Sequence, residues 1–254
     1  MPHQQAELTT TDGDSGDGFG SLVDISSDGT TAIVAAPEDE DPNGAESGTA
    51  YVYNTTGGSW TQQSKLVSDD GESGDSFGRS VALSADGSTA LVGSYNDDIP
   101  TGDEVGSVCV FDTKSGSWSQ RAKLTPDDGA NGDYFGRSVA VSDDGTTAVV
   151  GAYRDNTPNG EGSGSTYVFQ GENSSWSQQA ELTPDDGDQL DQFGWSVAVS
   201  RDGTTVLVGA YFHDDPNGGG AGSAYVFSSA DGSWRQQENW LRTAEMVTTP
   251  LAGQ

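Results

Sequence analysis

The chain has 254 residues, 40 of them acidic against ten basic, for a formal net charge of −30. That balance excludes nucleic-acid backbones, which are gripped by lysine and arginine, and anionic membrane surfaces. It suits a halophile's protein, because at 1 M salt the Debye length is only about 3 Å and self-repulsion is muted while solubility is kept.

From the N-terminus, MPHQQAELTT lacks the apolar stretch of an export signal, and no later apolar run approaches membrane-spanning length. Residues 4–9 nevertheless read as strand: Gln4, Ala6 and Leu8 copy Gln178, Ala180 and Leu182. The reason is a repeat. Phe-Gly stands at Phe19-Gly20, Phe77-Gly78, Phe135-Gly136 and Phe193-Gly194, and each step is 58 residues. Trp60, Trp118, Trp176 and Trp234 keep the same step, as do Leu8, Leu66, Leu124 and Leu182. Four units in register, roughly 10–67, 68–125, 126–183 and 184–241, predict one repeat domain over 1–237 with residues 242–254 as a disordered tail.

The second unit shows what each contains. FGRSVALS (77–84), TALVGSY (89–95), GSVCVFD (106–112) and SWSQRAKLT (117–125) are strand-like runs. The tight Ala85-Asp86-Gly87 turn, the long NDDIPTGDEV loop and a turn near Lys114–Ser117 join them. The second strands (AIVAA, ALVGS, AVVGA, VLVGA) are apolar on both faces and must be covered on both. In the fourth strand Trp118, Gln120, Ala122 and Leu124 share a buried face, leaving Ser119, Arg121 and Lys123 outside as on an outer edge. The expected fold is therefore all-β: a β-propeller of four four-stranded antiparallel blades, or an arc of a larger ring. If the ring closes, residues 4–9 are the better closing strand for the last blade, since Glu238 and Trp240 replace Ala180 and Leu182 in its own fourth strand.

Chemistry is sparse. His3 and His213 are the only histidines, and Cys109, alone, occupies a strand position where the other units have Tyr51, Tyr167 and Tyr225. No nucleophile elbow, phosphate loop or dinucleotide fingerprint occurs. The acids, however, are placed unevenly. The long loops of one end hold 27 of the 40, with Arg154 as their one base, and rigid scaffolds put function on such loops. Within them Asp39-x-Asp41-x-Asn43-Gly44 resembles the first half of a calcium loop, and Asp39, Asp41 and Asn43 are the candidate ligands. The glutamate that would complete it is replaced by Ala50, and a plain turn is the alternative.

The repeat resembles the FG-GAP repeats of integrin α-chain propellers, in particular prokaryotic variants. The Phe-Gly pairs match the first half of that name; Ala35-Ala36-Pro37, Gly93-Ser94-Tyr95, Gly151-Ala152-Tyr153 and Gly209-Ala210-Tyr211 answer the second. The resemblance implies a binding or structural module, extracellular or on the cell surface, with a protein or glycan ligand and calcium as a possible cofactor. The family's calcium loop is not carried over. At its place stand Ser26-Ser27-Asp28-Gly29 and three copies, too poor in carboxylates for six to eight oxygens. Such propellers commonly have seven blades, so a fragment of a larger surface protein is one alternative. A hydrolase using carboxylates in the central channel is the other.

Overall fold

A computed structural model describes residues 4–40, 43–113, 117–172, 175–214 and 218–237. The proposed 242–254 tail and Asp41 lie outside them. Among these residues sixteen strands form four antiparallel sheets, each a meander in chain order. Blade one is β1 (Val23–Ile25), β2 (Thr31–Ala36), β3 (Thr49–Thr56) and β4 (Ser59–Leu66). Blade two is β5 (Ser80–Leu83), β6 (Thr89–Ser94), β7 (Ser107–Asp112) and β8 (Ser119–Leu124). Blade three is β9 (Phe135–Val141), β10 (Thr147–Ala152), β11 (Ser165–Glu172) and β12 (Ser175–Leu182). Blade four is β13 (Phe193–Val199), β14 (Thr205–Ala210), β15 (Ser223–Ala230) and β16 (Ser233–Gln236). The expected four-stranded, all-β blades are present; in blades one and two the Phe-Gly pair precedes the first strand, and Phe77 bridges to Gly48 of blade one instead.

Each blade packs its back face on the front face of the next. Ile33, Val52 and Leu66 meet Phe77, Leu83, Val92 and Phe111. Leu91, Val110 and Leu124 meet Phe135, Val150 and Phe169. Val149, Val168 and Leu182 meet Phe193, Val208 and Phe227. Burial from both sides is why the second strands β2, β6 and β10 are fully inside. The Phe-Gly pair is the deepest part of every junction: Phe77, Phe135 and Phe193 are at most 1% exposed. Their amides donate to the carbonyls of Ser47, Val105 and Ser163 in the preceding blade. A side chain on Gly106 would strike the Phe135 backbone, so this approach requires glycine, which also accepts its φ of +89°.

The Asp-Gly turns form a second line of contact. Asp28, Asp86, Asp144 and Asp202 each accept from the serine two residues before and the threonine or serine two after. The turns also touch one another: Ser27 N–H donates to Ala85 C=O, Ala85 to Asp143 and Asp143 to Arg201, at 2.9–3.1 Å.

Among the described residues the front of blade one and the back of blade four stay open. Val23 and Ile25, which correspond to the packed Val81 and Leu83, are 66% and 54% exposed on the front of blade one. On the back of blade four Leu207, the counterpart of Ile33, is 47% exposed. Residues 4–9, expected to close blade four, form no strand and lie along blade one. There Leu8, like Phe19 and Trp60, packs against the cluster of Val34, Ala36, Tyr51 and Tyr53, and Tyr53 Oη donates to Thr9 C=O. Leu8 thus does for blade one what Leu66, Leu124 and Leu182 do for blades two to four, and this cover holds it to its own neighbour.

Candidate functional site

The acidic loops leave the ends of the second and fourth strands, and much of their charge is turned inward. Asp17, Asp75, Asp133 and Asp191 are all buried. Each carboxylate accepts the backbone N–H three residues before it, bracing its own loop. Burial pushes Asp75 and Asp133 up to about 6, with Asp97 near the first and Asp155 and Asp128 near the second adding like charge. The hydrogen bond recurs in every unit, so each of these aspartates is a brace of the repeat.

The first position of the calcium-like motif is equally committed. Asp39 is 3% exposed, accepts from Tyr51 Oη at 2.8 Å and lies 3.4 Å from Lys65 Nζ. Asn43 donates its amide to Ser68 C=O. The structure therefore turns Asp39 and Asn43 to separate internal partners. Among the described residues no group of three or more His, Cys, Asp or Glu is arranged to hold a metal ion.

What sequence reading missed is a buried-charge cluster repeated at the outer strand. In blade one Lys65 sits between Asp12 (2.9 Å) and Asp39. In blade two Lys123 sits between Asp70 (2.8 Å) and Asp97 (2.7 Å), so its ammonium is not free in solvent as alternation implied. Burial pulls Lys123 down, but the two carboxylates outweigh it and hold its ammonium charged. In blade three the two acids recur as Asp128 and Asp155, both within reach of Tyr167 Oη at 3.1 and 2.9 Å. The lysine does not: its position is Glu181, whose carboxylate accepts from Ser165 Oγ at 3.0 Å. Burial, then the charge of Asp128, pushes the Glu181 carboxyl up. Blade four departs again, with His213 facing Asp191 at 2.9 Å. Cys109 replaces the tyrosine in blade two, lies 3.6 Å from Ser68 Oγ, and is pushed by burial to about 12, an inert packed thiol.

The inner rim of the same end carries a second departure from the repeat. Tyr95, Tyr134, Tyr153, Trp195, Tyr211 and Phe212 form a continuous line of ring contacts across blades two to four, centroids 4.6–5.7 Å apart. Arg154 lies over Tyr134 and Tyr153, and Arg137 over Trp195. Blade one has Pro37 and Gly18 at the places of Tyr95 and Tyr134, so the rim is built only from its neighbour onward. Breaks in the period were its available sequence signal.

No curated protein matches the chain. The family model for the FG-GAP repeat matches four times, over residues 2–53, 60–111, 118–169 and 176–227. Those bounds cut between the third and fourth strands, so the second, third and fourth matches each carry the outer strand of one blade with three strands of the next. By this match, which covers most of its length in four copies, the chain belongs to the FG-GAP repeat family.

Proposed function

We propose that the protein is a non-catalytic binding module, working at or outside the cell surface, whose acidic loop end takes cationic groups from a protein partner. The FG-GAP repeat suggests a structural or binding propeller rather than an enzyme. The observation that carries the finer reading is Glu181. Blades one and two fill a two-carboxylate cleft with their own ammonium, Lys65 or Lys123. Blade three keeps Asp128, Asp155 and the tyrosine hydroxyl but puts a third carboxylate where the ammonium belongs. Like charges so gathered favour a cation supplied from outside. A lysine side chain fits the chemistry, since the same cleft already holds one twice in this molecule.

Titration of pentalysine by calorimetry at fixed ionic strength tests the proposal. Binding should weaken at least tenfold in Glu181→Lys, which supplies the ammonium internally. Glu172→Lys, an equal charge change on the opposite turn, should leave binding within twofold. Equal effects of the two substitutions would reduce the interaction to bulk charge attraction and defeat the assignment.

A further inference from the structure

The three internal junctions define what one blade needs from the next, and the two outer blades each keep half of an unused junction. In every internal junction a Phe-Gly pair enters the preceding blade. At blades two and three its carbonyl accepts from a serine there: Ser80 Oγ to Gly136 at 2.7 Å and Ser138 Oγ to Gly194 at 2.8 Å. The next serine of the series, Ser196, is exposed on the back of blade four. It borders a depression of about 580 Å³ with Gly209, Tyr211 and Gly222. A side chain on Gly151 would strike Gly194, and one on Gly164 would strike Phe193, whereas Gly209 and Gly222 meet only atoms of their own blade. At the other end Phe19-Gly20 enters no neighbouring blade: Phe19 is half-buried against Tyr51 and Tyr53 of its own blade and Gly20 is exposed.

The rest of the junction is present in the same two halves. Leu207 and Val226 correspond to Ile33 and Val52; Val23 and Ile25 correspond to the Val81 and Leu83 that cover them. Arg201 N–H and Ser27 C=O are the next donor and acceptor of the turn-to-turn series.

We propose that the back of blade four receives the front of blade one of a second copy, head to tail. Phe19-Gly20 of that copy fills the depression beside Ser196. The chain's own continuation offers a poorer fit, because the residues one period after Phe193-Gly194 are Leu251-Ala252. The contact joins unlike surfaces, so it propagates into a ring or filament instead of stopping at a symmetric dimer. Two molecules each at −30 repel in dilute buffer, so association belongs to high salt.

Sedimentation velocity of the full chain in 1 M KCl, from micromolar to several hundred micromolar, reads this directly. The weight-average mass should at least double over that range. Ile25→Asp and Leu207→Asp, both at exposed positions, should each remain monomeric, and their equimolar mixture should form dimers and nothing larger. A wild-type chain monomeric throughout, or single variants that associate as it does, would overturn the proposal. A second measurement does not depend on those variants. Ser27→Cys with Arg201→Cys, oxidised in high salt, should give a ladder of disulfide-linked oligomers. A purely intramolecular bond would mean that blades one and four meet within one molecule, and would sink the intermolecular contact.

Discussion

Phe135 is 0% exposed and its ring meets Tyr167 and Phe169 edge-on, at 5.5 and 5.9 Å, across from the back of blade two. Phe135→Ala should therefore cost about 3–5 kcal/mol, the range for emptying a well-packed aromatic site, as read from urea midpoints. A loss below about 1 kcal/mol would mean that the ring is not the wedge described. Glu181 calls for the opposite change. Glu181→Lys copies the ion pairs of Lys65 and Lys123 and removes a like charge, and should raise stability by about 1 kcal/mol at pH 7; no gain would show that the cleft does not repeat in blade three. Both residues were visible in the sequence, but not equally. Phe135 announces itself by period. Glu181 looks like one acid among 40, and its meaning depends on Asp128 and Asp155 arriving beside it from two different loops.

At the scale of elements, the loop preceding each Phe-Gly pair is braced by its own aspartate, and two of those braces titrate near neutrality. Asp75 and Asp133 are raised from 3.8 to about 6 in the folded chain. A raised carboxyl binds its proton more tightly when folded, so its contribution is complete below pH 3.8 and is lost as pH rises through about 6. The turn aspartates Asp86 and Asp144 run the other way: burial is outweighed by serine and threonine hydrogen bonds that hold them low, so what they add is lost on acidification. Between pH 4.5 and 7 the first pair governs. Asp75→Asn with Asp133→Asn should flatten the fall in melting temperature over that interval, and an unchanged slope would assign the fall to other groups. The strands themselves were legible because Asp-Gly turns and two-sided apolar runs fix their ends. The half-buried Lys123 was not, since alternation along β8 assigns it to solvent and only the loop acids above it draw its ammonium in.

The whole molecule is governed by its charge. With 27 carboxylates in the long loops of one end, stability should climb steeply with salt, because screening within a few ångströms needs molar concentrations. Thermal melts in 0.05 and 2 M KCl should differ by tens of degrees. Calcium at matched ionic strength should add nothing, given that Asp39 and Asn43 are held by Tyr51 and Ser68. A calcium increment abolished by Asp39→Ala would restore the loop as a metal site. Four-bladed composition and order were plain from spacing alone. Whether the arc closes was not, because the copied strand at residues 4–9 fits any preceding back face, and nothing in a linear sequence says which one it meets.

The turn-to-turn hydrogen bonds from Ser27 through Ala85 and Asp143 to Arg201 bear on how such a gene can change. Each unit offers a donor on one side and an acceptor on the other, always at the same position, so no junction is written for a particular neighbour. Recombination between aligned copies can then delete or duplicate a whole unit without leaving a mismatched seam. Excising residues 68–125 would set Ile33 and Val52 against Val139 and Val141, the equivalents of Val81 and Leu83. The resulting three-unit protein should still melt in one cooperative step, at a lower temperature than its parent, and copy number becomes a quantity that heredity can adjust in whole steps.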